Sequence, residues 1–378
     1  MTSRYSRAQA VEGIGPEGLA RLQRSRVAIA GAGNIGGELA RHAAMLGIGL
    51  LLVDCDTVRE ENLGTGFSPA HLHLPKVEAR RRALQELNPG CPIETLYADI
   101  ERIGLGALRG VDLILCCLDS RRARAALNEL ATRLGLPLVD AAIDGTGKSL
   151  FARVAAYHPA RGSACYLCPY DGAGLEQIRG RKTAERCPSL LGPADADPPT
   201  LAISAAGAAA AAAQLVWGLQ ILLGRGERII GREMYFDLER GLLSTHALRP
   251  NPACALDHRP LTLTPARCPT VEETFRAGEQ VLGAEVTLQL HRFSIATELR
   301  CPGCGSSRKP ARLLEALTAA DAECACGSTM QPVGLVDRFG RAEAQEFLSR
   351  SWREIGLPDA DVLTAASGGA EVHLLLGG

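Results

Sequence analysis

Residues 26–37 read RVAIAGAGNIGG, an apolar run that leads directly into the glycine pattern Gly31-x-Gly33-x-x-Gly36. A helical pattern follows over residues 38–46, and residues 50–53 (LLLV) predict a second buried strand that ends at Asp54. A strand, a glycine turn, a helix, a second strand and an acidic residue about 20 positions after the turn are typical of a nucleotide-binding βαβ unit.

Each part of this pattern has a chemical reason. Glycines let the backbone approach a phosphate, and a helix N-terminus offers free N–H groups and a partial positive charge. The Asp54 carboxylate can accept hydrogen bonds from ribose hydroxyls. By itself the unit indicates a nicotinamide-dependent enzyme as readily as an ATP-dependent one. A glycine turn that only packs a helix on a sheet is a third interpretation.

The segments after Asp54 continue the alternation of strands and helices. We predict strands at residues 93–97, 111–117 and 137–139, and helices at residues 76–87 and 121–134. This alternation predicts a Rossmann-like, doubly wound, mostly parallel sheet of the α/β class. In such sheets, ligands bind beyond the C-terminal ends of the strands. Four polar residues fall on that rim: Asn34, Asp54, Asn62 and Asp119.

The bulk composition narrows the function classes. The length of 378 residues is enough for two domains. The chain is 46% hydrophobic and 22% charged, which is enough apolar residues for a full core. The net charge of −1 provides no basic field, so we expect neither nucleic acid nor a membrane as a partner. No charged-then-apolar leader follows Met1, and we expect a cytoplasmic protein. Its 13 cysteines are then expected to be metal ligands and free thiols.

Two sets of cysteines have metal-ligand spacing. The CYLC knuckle at residues 165–168 supplies two ligands, so a tetrahedral site needs two more. We expect Cys254 to be the third ligand, and for the fourth we choose His258 over Asp257 or Cys268. The other set is a pair of glycine-supported knuckles in the last third of the chain, which predicts a zinc ribbon. The expected ligands of the two structural Zn²⁺ sites are Cys165, Cys168, Cys254 and His258, and Cys301, Cys304, Cys324 and Cys326.

Other segments carry weaker patterns. Residues 201–223 hold no charge and are long enough to span a membrane, but they are rich in alanine and contain polar residues, so we expect a buried core helix. We also expect helices over residues 1–24 and 341–355. Residues 371–378 end in Gly-Gly after leucines. This resembles a ubiquitin-like tail, although we favour an edge strand.

Seven motifs together resemble the superfamily of ThiF, MoeB and the ubiquitin-activating enzymes. They occur in the family order over about two thirds of the chain. The motifs are RYSRAQ (4–9), GAGNIGG (31–37), VDCDTVREENL (53–63), LPKVEARRRALQELNP (74–89), CCLDS (116–120), CYLC (165–168) and NPAC (251–254).

The resemblance implies that ATP adenylates the C-terminal glycine of a small ubiquitin-like or sulfur-carrier protein and releases pyrophosphate. Attack on the α-phosphate builds charge on phosphoryl oxygens, which Lys, Arg and Mg²⁺ stabilise. Arg7 matches the arginine that one subunit of a homodimer supplies to the ATP of the other. The positions that match nucleotide ligands are Gly31, Gly33, Asn34, Gly36, Asp54 (ribose), Asn62 and Lys76 (phosphates), and Asp119 (Mg²⁺ and the reacting groups).

The chain departs from the family pattern at residues 62–66. These read NLGTG where the family often has Asn-Leu-x-Arg-Gln, so the arginine that contacts phosphate there is missing. Either another basic residue compensates for it or adenylation is weaker.

A single cysteine, Cys187, lies in a segment that in the family carries the cysteine that accepts the activated carrier as a thioester. The nearby residues Arg181, Lys182 and Arg186 would favour its thiolate. The alternative is an idle surface thiol. The expected catalytic residues are thus Cys187, Arg7, Asp119 and Lys76.

We therefore expect a ThiF/MoeB-like adenylation domain over residues 1–259, with a mobile crossover loop at about 171–200, and a zinc-ribbon α+β domain over residues 260–378. The expected function is activation of a ubiquitin-like protein in a bacterial conjugation pathway, with a conjugating enzyme as a further partner. The alternatives are a sulfur-carrier adenylyltransferase of the thiamin or molybdenum-cofactor type, an inactive scaffold of the same fold, and a nicotinamide-dependent oxidoreductase.

Overall fold

The computed structural model describes residues 4–144, 149–179 and 203–377. The chain divides into two compact units. The large unit comprises the described residues among 1–101, 110–178 and 198–260, and the small unit comprises residues 102–109 together with residues from 261 onward.

The large unit is built on one eight-stranded sheet. Its strands are β1 (Arg26–Ala30), β2 (Gly49–Asp54), β3 (Ile93–Tyr97), β4 (Leu113–Cys116), β5 (Leu138–Ile143), β6 (Phe151–Tyr157), β7 (Arg232–Asp237) and β8 (Leu242–Ala247). The helices, numbered in the same way, are α1 (Ser6–Gln9), α2 (Gly15–Arg24), α3 (Asn34–Leu46), α4 (Lys76–Leu87), α5 (Arg121–Leu134), α6 (Gly172–Arg179) and α7 (Ser204–Leu222).

The strand order is β3-β2-β1-β4-β5-β6-β7-β8. The first five strands are parallel, and β6, β7 and β8 continue the sheet antiparallel. This confirms the predicted α/β class with a doubly wound sheet. The chain leaves β1 toward β2 on one side and returns to β4 on the other, so the crevice beyond the end of β1 is the switch point where such sheets bind ligands.

Buried aliphatic side chains on the central strands explain why this sheet forms. Leu50, Leu52, Leu113 and Leu115 are all almost fully buried in one hydrophobic core, as expected for parallel strands covered by helices on both faces. The predicted strand at 93–97 and the helix at 121–134 are confirmed as β3 and α5.

The alanine-rich helix α7 packs against the sheet through small residues. A Cβ atom added at Gly218 would lie 3.0 Å from Leu113 Cδ2, so this close approach depends on glycine. Among the described helices, α7 alone is long and apolar enough to cross a membrane. Of the residues in its apolar 18-residue stretch, 44% are buried. The expectation of a buried helix is therefore met only in part.

The helix expected over residues 1–24 is wrong as one element. It is divided into α1 and α2 because Gly13 and Gly15 adopt left-handed conformations, with φ of +86° and +61°. The short α1 is fixed by its neighbour Tyr5, whose hydroxyl accepts a hydrogen bond from Asn88 Nδ2 (3.0 Å).

The small unit contains a five-stranded sheet and a four-stranded sheet. Its strands are β9 (Leu263–Ala266), β10 (Thr287–Leu290), β11 (Ile295–Arg300), β12 (Ser307–Arg308), β13 (Arg312–Leu313), β14 (Gln331–Val336), β15 (Arg338–Phe339), β16 (Val362–Ser367) and β17 (Ala370–Leu376). Its helices are α8 (Val271–Leu282), α9 (Ala319–Ala322) and α10 (Trp352–Ile355). The larger sheet has the order β15-β10-β16-β17-β9, and in the smaller one β11 pairs with β12, β13 and β14.

Three features of the small unit differ from expectation. The helix expected over 341–355 is reduced to α10. Turns precede it, as in the hydrogen bond from Phe347 N to Ala344 O (2.8 Å). Helix α8 was not expected, although its capping box of Thr270 and Glu273 is a sequence signal. Finally, β17 is not an edge strand, because it lies between β16 and β9.

Candidate functional site

The glycine turn between β1 and α3 leaves no room for side chains at two positions. A Cβ atom at Gly31 would lie 2.6 Å from Cys117 O, and one at Gly36 would lie 1.8 Å from Gly31 O. Gly31 also has a φ of +94°, which favours glycine. At Gly33 no described atom lies within 4 Å of such a Cβ, so the turn is open on that side.

Asp54, at the end of β2, is tied to the turn. Its Oδ2 accepts a hydrogen bond from Ala32 N (2.6 Å) and its Oδ1 accepts one from Asp56 N (2.8 Å). Burial raises the pKa of Asp54, and these two hydrogen bonds oppose the rise by favouring the carboxylate. Each oxygen retains acceptor capacity, so Asp54 can fix the turn and still accept a ligand hydroxyl.

Lys76, the first residue of α4, is paired with a carboxylate. Its Nζ lies 2.7 Å from Asp56 Oδ2, and its backbone N–H donates to Asp56 O (2.8 Å). The Lys76 side chain is 12% exposed whereas that of Asp56 is 54% exposed. The ammonium group is therefore held close to the end of β2.

The two asparagines are engaged in local structure. Asn34 Nδ2 donates to Ile203 O (3.2 Å), which joins the start of α3 to the residue before α7. Asn62 Oδ1 accepts a hydrogen bond from Arg59 N (3.0 Å) and caps the 3-10 helix Glu60–Thr65. Each side chain uses only one of its donor or acceptor positions in these bonds, so either amide retains capacity for a ligand contact.

Asp119 follows β4 and is exposed at the start of α5. No other described residue forms a hydrogen bond or ion pair with its carboxylate. The loop before it is fixed by a buried network, in which Arg124 donates to Leu118 O and pairs with Asp140, which is 1% exposed. Asp140 also accepts a hydrogen bond from Arg153 Nη1 (2.9 Å). This network positions the loop and leaves the Asp119 carboxylate available.

One arginine that the sequence analysis did not single out joins two loops at this rim. Arg80 of α4 is 9% exposed. It donates from Nε to Ala32 O (3.1 Å) and from Nη2 to Gly33 O (3.0 Å) in the glycine turn. It also donates from Nη2 to Thr65 O (2.9 Å) and from Nη1 to Gly66 O (2.9 Å).

A signal for Arg80 was present in the sequence. It lies four residues after Lys76 in a helix that begins at the rim, and residues at this spacing share one helix face. Its contact with Thr65 brings a basic group next to the position where the family often has arginine.

The remaining expected catalytic residues are separate from these contacts. The Arg7 side chain on α1 is exposed, and the described residues provide it with no ion-pair partner. Cys187 lies outside the described residues, as do Arg181, Lys182 and Arg186.

The structure brings together the four expected ligands of the first metal site. Their ligand atoms all lie within 4.8 Å of one another, with Cys165 Sγ 3.6 Å from Cys254 Sγ and Cys168 Sγ 3.5 Å from His258 Nε2. Ligands at about 2.3 Å from one tetrahedral ion lie roughly 3.8 Å apart, so this set fits Zn²⁺. Burial lowers the pKa of His258, which favours the neutral ring that a metal requires.

The rejected alternatives for the fourth ligand are engaged elsewhere. Asp257 pairs with Arg133 Nη1 at 2.6 Å, and Cys268 is buried in the core of the small unit. This favours His258 as the fourth ligand.

The second set of four cysteines also converges. Cys301 Sγ lies 3.4 Å from Cys326 Sγ, and Cys304 Sγ lies 3.6 Å from Cys324 Sγ. The backbone at Cys326 and the Ser306 hydroxyl lower the pKa of Cys324 to about 6, which favours the thiolate that binds metal. The set thus fits Zn²⁺ in its distances and in its donor chemistry.

A sequence model of the ThiF family matches residues 5–256, two thirds of the chain. The chain belongs to the ThiF family. This membership confirms the resemblance read from the seven motifs, which lie within or next to the matched range.

Similar ThiF-family proteins carry related names. The SAMP-activating enzyme E1 of Haloferax volcanii is 28% identical over 258 residues, which cover 66% of this chain and 87% of that protein. The molybdopterin-synthase adenylyltransferase of Escherichia coli is 34% identical over 169 residues, covering 44% of this chain and 66% of that protein. The MOCS3 adenylyltransferase and sulfurtransferase of Drosophila grimshawi is 35% identical over 170 residues, covering 44% of this chain but only 37% of that protein.

Solved structures show the same ThiF-family fold. The crystal structure of Escherichia coli MccB with AMPCPP and MccA has a TM-score of 0.52 and 19% identity, covering 67% of this chain and 74% of that one. MccB with ATP gives the same TM-score at 18% identity. At these identities the likeness establishes the fold of the ThiF part.

Proposed function

We propose that this chain uses ATP to adenylate the C-terminal glycine of a small ubiquitin-like or sulfur-carrier protein. One observation carries the proposal. Asp54 ends β2, the Lys76–Asp56 pair follows β2 and Asp119 follows β4, on either side of the glycine turn that follows β1. Relatives that are named adenylyltransferases support the same reaction.

The proposed reaction is a displacement at the α-phosphorus. A carboxylate oxygen of the terminal glycine attacks it, and the bond to the oxygen that bridges to the β-phosphate breaks, so that pyrophosphate leaves with the electron pair. Lys76 would leave Asp56 to stabilise charge on the phosphoryl oxygens. Arg7 would do the same for the ATP of the other subunit in a homodimer. Mg²⁺ held at Asp119 would neutralise phosphate charge when bound.

We further propose that the carrier is ubiquitin-like and that its activation continues to a thioester. The Cys187 thiolate would attack the carbonyl carbon of the acyl adenylate, form a carbon–sulfur bond and release AMP. A thioester is the form that a conjugating enzyme accepts, so a bacterial conjugation pathway in the cytoplasm is the proposed setting. Both Zn²⁺ sites would be structural, because four protein ligands leave no open position for substrate.

Activation of a sulfur carrier is the second candidate, and the molybdopterin-synthase adenylyltransferase relatives favour it. It shares the adenylation step but does not need Cys187. An inactive scaffold would carry out neither step.

The decisive experiment is ATP–pyrophosphate exchange with purified carriers of both kinds, each ending in glycine. Carrier-dependent exchange is expected with the cognate protein only. Exchange with a sulfur carrier alone would select the second candidate, and binding of carriers without any exchange would select the scaffold.

A further inference from the structure

Arg80 is the only charged side chain of α4 that is buried under the glycine turn. Its guanidinium stacks on the Phe67 ring, with Cζ 3.8 Å from the ring centroid. Among the described residues, no carboxylate lies within ion-pair distance of it. Glu38 and Asp54 are the charged groups that act on it from further away, and Glu38 already pairs with Arg41.

A buried charge without a counter-ion is costly unless dipoles stabilise it. Here the dipoles are four backbone carbonyls, and they come from two different loops. Two belong to the glycine turn and two to residues 65–66. Four of the five guanidinium N–H donors are thereby used.

These bonds, together with the helical hydrogen bond from Gly37 N to Gly33 O (2.9 Å), fix where the N–H groups of the turn point. All described peptide bonds are trans, and in a trans peptide group the C=O and N–H point in opposite directions. With the Ala32 and Gly33 carbonyls directed at Arg80, the N–H groups of Gly33 and Asn34 are directed away from it. Neither N–H finds a hydrogen-bond partner among the described residues.

We infer that Arg80 is a positioning residue for polyphosphate: it holds the Ala32–Gly33 peptide so that the Gly33 N–H, beside the Asn34 N–H that the start of α3 orients, faces the nucleotide phosphates, and it places a positive charge beneath them. The inference rests on the proposed ATP reaction and deepens it. An anion on the open side of the turn would interact with both the oriented amides and the buried cation. The nucleotide phosphates would thus be the missing counter-ion of Arg80.

A role in packing alone makes a different prediction from a role in phosphate binding. Packing would affect any nucleoside that enters the site, whereas the inferred role depends on phosphate charge. The test is therefore the ratio of two dissociation constants, for MgATP by calorimetry and for adenosine by ligand-observed NMR. The variants are Arg80→Met and Arg80→Lys. Arg82→Met, an exposed arginine of the same helix that pairs with Glu78, is the matched control.

We expect Arg80→Met to weaken MgATP binding about tenfold or more, the order of effect of one charge-assisted set of hydrogen bonds, while adenosine binding changes less than twofold. Arg82→Met should match the wild type. A buried lysine has a lowered pKa, so MgATP binding by Arg80→Lys should weaken from pH of about 7 to about 9 more steeply than in the wild type.

Equal losses for MgATP and adenosine, or no loss for either, would overturn the inference. So would failure of both Arg80 variants to fold, because Arg80 would then serve the fold alone. If the wild type itself does not bind MgATP, the proposed function fails instead, so the two failures are distinguishable.

Discussion

Lys76 Nζ lies 2.7 Å from Asp56 Oδ2, so the lysine expected to contact phosphate is bound to a carboxylate of its own chain. Asp56 is the more exposed partner, and the pair lies next to Asp54 through the hydrogen bond from Asp56 N. An ammonium held in this way is placed before the nucleotide arrives, and it needs only to exchange one anionic oxygen for another.

The first prediction concerns this exchange. Lys76→Met should lower the rate of ATP–pyrophosphate exchange about 100-fold, because one charged donor to the transition state is lost. Asp56→Asn removes only the resting partner and should leave the rate within about threefold of wild type. Equal losses in both variants would show that Lys76 acts through the pair and not on phosphate.

The second prediction concerns Asp119. Asp119→Ala should abolish exchange while thermal unfolding is unchanged, because the exposed carboxylate forms no hydrogen bond or ion pair with another described residue. Glu86→Gln, an exposed carboxylate of α4, is the control. Full exchange activity in Asp119→Ala would contradict a role at the reacting centre.

The third prediction is two bound zinc ions per chain. Elemental analysis should find two in the wild type, one in His258→Ala and one in Cys326→Ser, because each substitution opens one four-ligand set. Chelation should lower the unfolding temperature, since metal bound only to the folded state stabilises it. A single zinc that survives His258→Ala would mean that the first site is closed by another ligand or holds no metal.

The fourth prediction concerns Arg7, which is exposed on α1 and would act on the ATP of a partner subunit. Neither Arg7→Ala nor Asp119→Ala alone should support exchange. A mixed dimer of the two should recover part of the activity, because one of its two sites is then intact. The measurement is exchange by a purified heterodimer with two different tags, and no recovery there would refute the role in trans.

The fifth prediction is a thioester at Cys187. A non-reducing gel of enzyme, carrier and MgATP should show an adduct that thiol reductant removes. Cys187→Ala should abolish the adduct and leave pyrophosphate exchange intact.

An adduct that persists in Cys187→Ala would point to another cysteine. Cys55 is then the first to test, because it is exposed at the rim, whereas Cys116 is buried and Cys117 bonds to Gln214. Burial raises the pKa of Cys55 to about 11, so reaction there should be slow.

The sequence was sufficient for the elements whose signals are local. The glycine turn, its flanking strands and α5 follow from apolar runs and glycine spacing. The metal-ligand sets follow from the short spacing of knuckles that bring their own residues together. His258 required a choice among neighbours, and the Asp257–Arg133 pair supplies the physical reason for it.

Features that depend on distant partners were beyond such reasoning. The spacing of Arg80 from Lys76 places it on the face of α4 toward the rim, but its partners are carbonyls in two other loops, which the sequence of α4 does not reveal. Where the sequence predicts a helix from residue 341, the chain forms turns, and Arg341 pairs with Glu279 Oε2 (2.9 Å) and with Glu272, both on α8. Helix α8, by contrast, could have been predicted, because its capping box of Thr270 and Glu273 is a local sequence signal.

The position of β17 determines when the small unit can finish folding. Leu263 pairs in parallel with His373, so strands about 110 residues apart along the chain lie side by side. Closing so long a loop costs conformational entropy before the contacts between β9 and β17 can offset it, and this slows folding. The cysteine knuckles at 301–304 and 324–326 close a much shorter loop and can capture their metal first. We therefore expect the ribbon to be an early nucleus during synthesis and the five-stranded sheet to be completed only after residue 376 has been added.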